Sequence, residues 1–106
     1  MGRVAASTDV FRAIADPTRR AILDRLRAGH ANVNALAAQF EQSRPAISKH
    51  LKVLRDARLV HETRVGRERL YQLDPVPLQR VAGWMEGYRS FWTTSLDNLK
   101  RRLEER

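Results

Sequence analysis

Residues 43 to 54, Ser-Arg-Pro-Ala-Ile-Ser-Lys-His-Leu-Lys-Val-Leu, carry two kinds of surface on one short stretch. Arg44, Ser48, Lys49, Lys52 and, one step on, Arg55 offer cations and hydrogen-bond donors. Arg and Lys can donate to guanine O6 and N7 in the major groove, and Ser can bond base edges or phosphates. Ile47, Leu51 and Leu54 recur at spacings of four and three and form the buried stripe of a helix. Ser43 is placed to cap that helix. Pro45 falls in its first turn, where the missing N–H leaves no bond unmade. A helix with one face in a core and a basic face outward has the build to enter a DNA groove. An ordinary solvated surface helix shares this pattern, so the surroundings decide between the two.

The surroundings are basic in the right place. The chain has 106 residues, twenty Lys and Arg against twelve Asp and Glu, and a net charge of +8. Between Ser43 and Arg69 there are eight cations and three acids, so this quarter of the chain holds +5 of the excess. Such clustering favours a polyanionic partner. The length implies a single domain that hides roughly 65% of its unfolded surface, which makes dimerisation a natural supplement.

Several classes are excluded. The absence of cysteine removes disulfides, thiolate metal sites and cysteine redox sensing. No apolar run approaches the ~18 residues of a membrane span, and residues 1–8 read as a loose start without a signal-peptide core. The expected location is the cytoplasm. There is no phosphate loop, G-x-S-x-G, H-E-x-x-H or cysteine nucleophile, and enzymatic activity is not expected. Ser48 and His50 lie two apart on one helix and diverge by about 200°, so they do not form part of a triad.

The elements that must position the basic helix can be read in order. Val10, Phe11 and Ile14 give a first helix a short apolar face. Asp16 and Pro17 restart the chain as a second helix, with Ala21, Ile22, Leu23 and Leu26 buried and Gly29 ending it. Asn32 or Asn34 opens a third helix, with Leu36, Ala37 and Phe40 inward. Glu41-Gln42-Ser43 is a three-residue turn into the basic helix, which runs to about Ala57. Leu59–Val65 and Arg69–Leu73 read as two strands around a Val65-Gly66-Arg67-Glu68 turn. From Leu78 one helical period runs for about seven turns through Val81, Met85, Tyr88, Trp92, Leu96, Leu99 and Leu103.

Helix, tight turn, basic helix and a basic hairpin describe a mainly α fold with a two-stranded wing, a winged helix-turn-helix. Residues 9–73 are the expected DNA-binding core and residues 75–106 a terminal dimerisation helix. The contacts expected with DNA come from Gln42, Ser43, Arg44, Pro45, Ser48, Lys49, His50, Lys52 and Arg55. On the wing they come from Arg64, Arg67 and Arg69, along the backbone or in the minor groove.

The runs Ala15-Asp16-Pro17-Thr18-Arg19-Arg20-Ala21-Ile22-Leu23, Ser43 to Leu54 and Ala57-Arg58-Leu59-Val60 closely resemble the ArsR/SmtB family of bacterial winged-helix regulators. The resemblance covers roughly residues 9 to 73, with "S-x-H-L-x-x-L" its distinctive signature. It implies a homodimeric repressor on a palindromic operator, with Ser48 and His50 near the DNA and Arg67 a wing contact. Metal-sensing members carry thiolates where this chain has Asn32 and Asn34, or histidines on the last helix, where residues 78–106 have none. His30, His50 and His61 show no ligand-like spacing. The resemblance therefore points to a member without a metal or other cofactor.

The last helix has its own alternatives. Val10, Phe11, Ile14, Leu78, Val81, Met85, Tyr88, Trp92, Leu96 and Leu99 are the expected dimer interface, because clustered exposed apolar surface marks a protein interface. Trp84, Tyr88, Phe91 and Trp92 could instead seat a small-molecule inducer near Trp84 and Trp92. A third reading is a basic membrane-surface or protein-interaction module working through this helix.

Overall fold

Asp9, Asp16, Asn32 and Ser43 each accept a hydrogen bond from a backbone N–H in the first turn of the helix that follows. In the computed structural model, which describes residues 9–105, these caps open α1 (Val10–Ala13), α2 (Pro17–Leu26), α3 (Val33–Phe40) and α4 (Arg44–Asp56). Each such cap stabilises its helix by about 1 kcal/mol. Asn32, rather than Asn34, opens α3. The loose start expected at residues 1–8 lies outside the described residues.

The turn between α3 and α4 follows from its backbone. Glu41 is left-handed (φ 52°, ψ 43°), and the Gln42 N–H returns to the Ala37 carbonyl at 3.1 Å. That reversal ends α3 and leaves Ser43 extended to start α4. A second left-handed residue, Arg58 (φ 63°), ends α4, with the Leu59 N–H on the Leu54 carbonyl at 2.9 Å.

Strands β1 (Val60–Val65) and β2 (Glu68–Leu73) pair antiparallel from Val60↔Leu73 to Val65↔Glu68. The two-residue turn carries Gly66 at φ 62°, a conformation that favours glycine at the first turn position. Ala31 adds a single antiparallel bridge to Tyr71, with bonds of 3.1 and 2.8 Å. This third edge anchors the base of the wing to the start of α3.

The core lies among α1–α4 and the hairpin base. Ile22, Leu23, Leu26, Leu36, Ile47, Leu51, Leu54, Leu59, Val60 and Tyr71 are buried there. Ile47, Leu51 and Leu54 all face inward, as the spacing in α4 requires. Val10 was expected at a dimer interface but is only 1% exposed, packed inside the single chain.

The terminal helical run departs from expectation. It is two helices, α5 (Leu78–Glu86) and α6 (Arg89–Glu104), rather than one. Gly87 and Tyr88 bond back only three residues, to Trp84 and Met85, and interrupt the α ladder. Glycine is a poor helix former, and the apolar period runs across the break without revealing it. Neither helix has a buried residue; Leu78 and Val81 alone in this run pack partly against the core. The radius of gyration is 18.3 Å, against about 13 Å for a compact chain of this length, because α6 projects from the body.

Candidate nucleic-acid interface

Burial of Ile47, Leu51 and Leu54 turns the opposite face of α4 outward, where Arg44, Pro45, Ser48, Lys49, Lys52 and Arg55 are exposed. Ser43 Oγ accepts from Ala46 N–H at 3.2 Å, and its own hydrogen stays available for donation. Arg44 and Ser48 line a polar cleft of about 270 Å³ with Arg67 and Arg69 of the wing, Asn32 at the cap of α3 and Asn34 within it. The Asn32 amide donates to Glu68 at 3.0 Å across this cleft and holds the wing against α3. Helix α4 and the wing therefore open on one common surface.

The cations of that surface differ in their partners. Among the described residues, Arg44, Lys49, Arg64 and Arg67 have no carboxylate within 4.0 Å. Lys52 is 3.0 Å from Asp56, one helical turn on. Arg55 Nη1 donates to Glu62 at 2.6 Å, and Arg69 Nε lies 3.5 Å from the same carboxylate. The Tyr71 hydroxyl also donates to Glu62, at 3.3 Å. Burial, then the neighbouring Glu62 charge, pushes the Tyr71 phenol above its ordinary value, so it remains a donor. By sequence, Glu62 is one of the three acids that dilute the basic charge between Ser43 and Arg69. The signal that could have found it is register, since Glu62 stands opposite Tyr71 and diagonal to Arg69.

Two other expected contacts turn inward. Gln42 donates to Thr18 Oγ1 of α2 at 3.5 Å. His50 is half-buried, with Nδ1 3.9 Å from Asp16 Oδ2. Asp16 is held below the usual carboxylate range, chiefly by the Arg19 N–H it accepts and further by the His50 and Arg19 charges. No cluster of three or more His, Cys, Asp or Glu among the described residues is arranged to hold a metal. Among the described residues, no helix is long and apolar enough to cross a membrane.

A second exposed surface, rich in large apolar side chains, runs along the terminal helices. Phe11, Trp84, Tyr88 and Trp92 form a ladder with successive ring centroids 5.9, 5.2 and 6.4 Å apart, joining α1, α5 and α6. Arg80 lies over the Phe11 ring. Met85, Phe91, Leu96, Leu99 and Leu103 extend the exposed apolar surface along both terminal helices. A groove of about 470 Å³ is lined by Ala82, Met85, Glu86, Arg89, Trp92, Thr93 and Leu96. Trp92 borders it, whereas Trp84 faces the ladder.

The sequence pattern of the bacterial regulatory proteins of the arsR family matches residues 16–62, from the cap of α2 to the middle of β1. The HTH-type transcriptional regulator Rv2034 of Mycobacterium tuberculosis is 46% identical over 86 residues, covering 81% of this chain and 78% of that protein. The chain belongs to the ArsR family. The transcriptional repressor SdpR of Bacillus subtilis is 42% identical over 77 residues, 73% of this chain and 86% of the relative. Among solved structures, a possible transcriptional regulator for arsenical resistance superposes with a TM-score of 0.70 at 42% identity, covering 91% of this chain and 94% of its own. An ArsR-like regulator from Rhodococcus sp. RHA1 gives 0.68 at 33% identity over 91% of both. The fold is the ArsR winged helix, and this ArsR protein is a DNA-binding transcriptional regulator, not an enzyme.

Proposed function

We propose that this ArsR protein is a homodimeric repressor that binds a two-fold symmetric operator in the cytoplasm without a metal cofactor. The observation that carries the reading is the shared cleft: Arg44 and Ser48 of α4 meet Arg67 of the wing on one exposed basic surface. In this reading α4 enters the major groove, with Arg44 and Ser48 at base edges and Lys49 on phosphate. Arg64 and Arg67 follow the backbone from the wing, and Lys52 reaches phosphate beyond its Asp56 pair.

A second copy is the occupant proposed for the face formed by Phe11, Ile14, Met85, Tyr88, Trp92, Leu96 and Leu99. What supports it is a run of large apolar side chains that the chain's own core leaves exposed or half-exposed. Two-fold pairing would set the two α4 helices about 34 Å apart, one turn of DNA. An inducer beside the tryptophans has less support, because Trp84 and Trp92 do not share the groove.

Footprinting on duplex DNA from the region upstream of the chain's own gene tests the proposal. Protection of two half-sites related by symmetry is expected, weakening with salt by ~0.9 log units per neutralised phosphate per log unit. Protection without a repeat, or none, rules it out.

A further inference from the structure

Glu62 and Arg64 on β1 share a face of the wing with Arg69 and Tyr71 on β2, since Glu62 pairs with Tyr71 and Arg64 with Arg69. Two guanidinium side chains directly opposite each other repel. Glu62 stands diagonal to Arg69 and offsets that charge, while its other oxygen accepts from Arg55 in the last turn of α4. The Tyr71 hydroxyl fixes the carboxylate from below, and Tyr71 is itself tied by backbone bonds to Ala31. Glu62 is the least exposed member of this group of ion pairs, at 21% against 46% for Arg55 and 57% for Arg69. Pairs this open add little to folding stability. What they set is the geometry between α4 and the wing, and the number of cations free to meet DNA.

We infer that Glu62 is a positioning and specificity-determining residue: one carboxylate clamps the wing to the recognition helix and withholds Arg55 and Arg69 from the phosphate backbone. The inference rests on the interface proposed above. Phosphate contacts supply nearly all non-specific affinity, whereas base contacts discriminate sequences. Holding back two cations therefore weakens binding to random DNA more than binding to the operator. It also keeps Arg64 and Arg67 as the wing's contacts.

Fluorescence anisotropy across a salt series, on the footprinted duplex and on a random duplex of equal length, tests this with Glu62→Gln. That variant keeps the side-chain size and removes the charge. The slope of log K against log salt on random DNA steepens by up to about 1.8, for two released cations at ~0.9 each. Random-duplex affinity rises several-fold and the operator-to-random ratio falls. Adding Arg55→Gln and Arg69→Gln returns the slope to that of the native chain. An unaltered slope and ratio in Glu62→Gln overturn the inference. If Glu62→Gln does not fold, Arg69→Gln alone decides: an unchanged slope upholds the withheld guanidinium, and a fall of about 0.9 overturns it. A native chain whose slope ignores Lys49→Gln removes the interface reading and this inference together. A native chain that responds to Lys49→Gln while Glu62→Gln changes nothing removes this inference alone.

Discussion

His50 Nδ1 stands 3.9 Å from Asp16 Oδ2, so the helix proposed to enter the groove is braced from behind by the cap of α2. The family resemblance puts His50 near DNA, and the half-buried ring also lies beside the cap of α2. His50→Ala is expected to lose about 1 kcal/mol of stability, which lowers Tm by about 4–8 °C in a domain of this size. Affinity should fall alike for all operator variants. Thermal melts beside competition binding with single-base changes check this; a shift in preference at one base with an unaltered Tm would put the ring on DNA.

Asp16 couples that brace to pH. Its carboxyl is depressed in the folded chain, first by the Arg19 N–H and then by nearby positive charge. A group so depressed stabilises the fold above its unfolded pKa and loses that contribution as pH falls through the folded value. Asp16→Ala should cost about 1 kcal/mol at neutral pH. The gap between variant and native chain should close as pH drops below about 4. Urea melts over that range measure it, and a gap that stays constant counts against the assignment.

Arg58 holds a left-handed backbone at the end of α4, where glycine has no Cβ to strain. Arg58→Gly should stabilise the chain by about 0.5–1 kcal/mol, the relief of strain exceeding glycine's greater unfolded entropy. A lower Tm in this variant would show that the Arg58 side chain contributes more than its backbone costs.

Arg44 and Lys49 should separate into different roles. Arg44→Ala is expected to relax preference at one base position by about 1–3 kcal/mol. Lys49→Ala should weaken all sequences together and reduce the salt slope by about 0.9. Binding to a panel of point-substituted duplexes distinguishes them, and identical profiles would remove Arg44 from the base edge.

Leu96→Glu places a charge on the exposed apolar face of α6, away from the buried core. Sedimentation should show a monomer that melts as a folded domain, with operator affinity reduced at least tenfold. A dimer that persists would move the pairing surface elsewhere.

Much of the reading half was legible in the sequence because its signals are local. Asp16-Pro17 and Ser43-x-Pro45 start helices by short-range chemistry, the Glu41–Ser43 turn is three residues long, and Gly66 marks the hairpin tip. What escaped depends on partners distant in sequence. The Ala31–Tyr71 bridge is one residue long and leaves no period. Glu62 becomes a clamp only once the strands are in register with α4. Val10 and Phe11 look alike in sequence, yet one is enclosed and the other leads an aromatic ladder. Gly87 ends α5 within an unbroken apolar rhythm, since packing period and backbone continuity are separate properties.

The terminal arm contributes no buried side chain, while the winged-helix half holds its core within itself. Mutations along α6 are thereby insulated from the core of the winged helix, whereas α5 touches that core through Leu78 and Val81. Under the proposed pairing, a lineage can rewrite partner choice along α6 while the DNA-binding surface stays the same. Pairing, as proposed for these helices, and DNA binding are inherited together yet free to diversify at different rates.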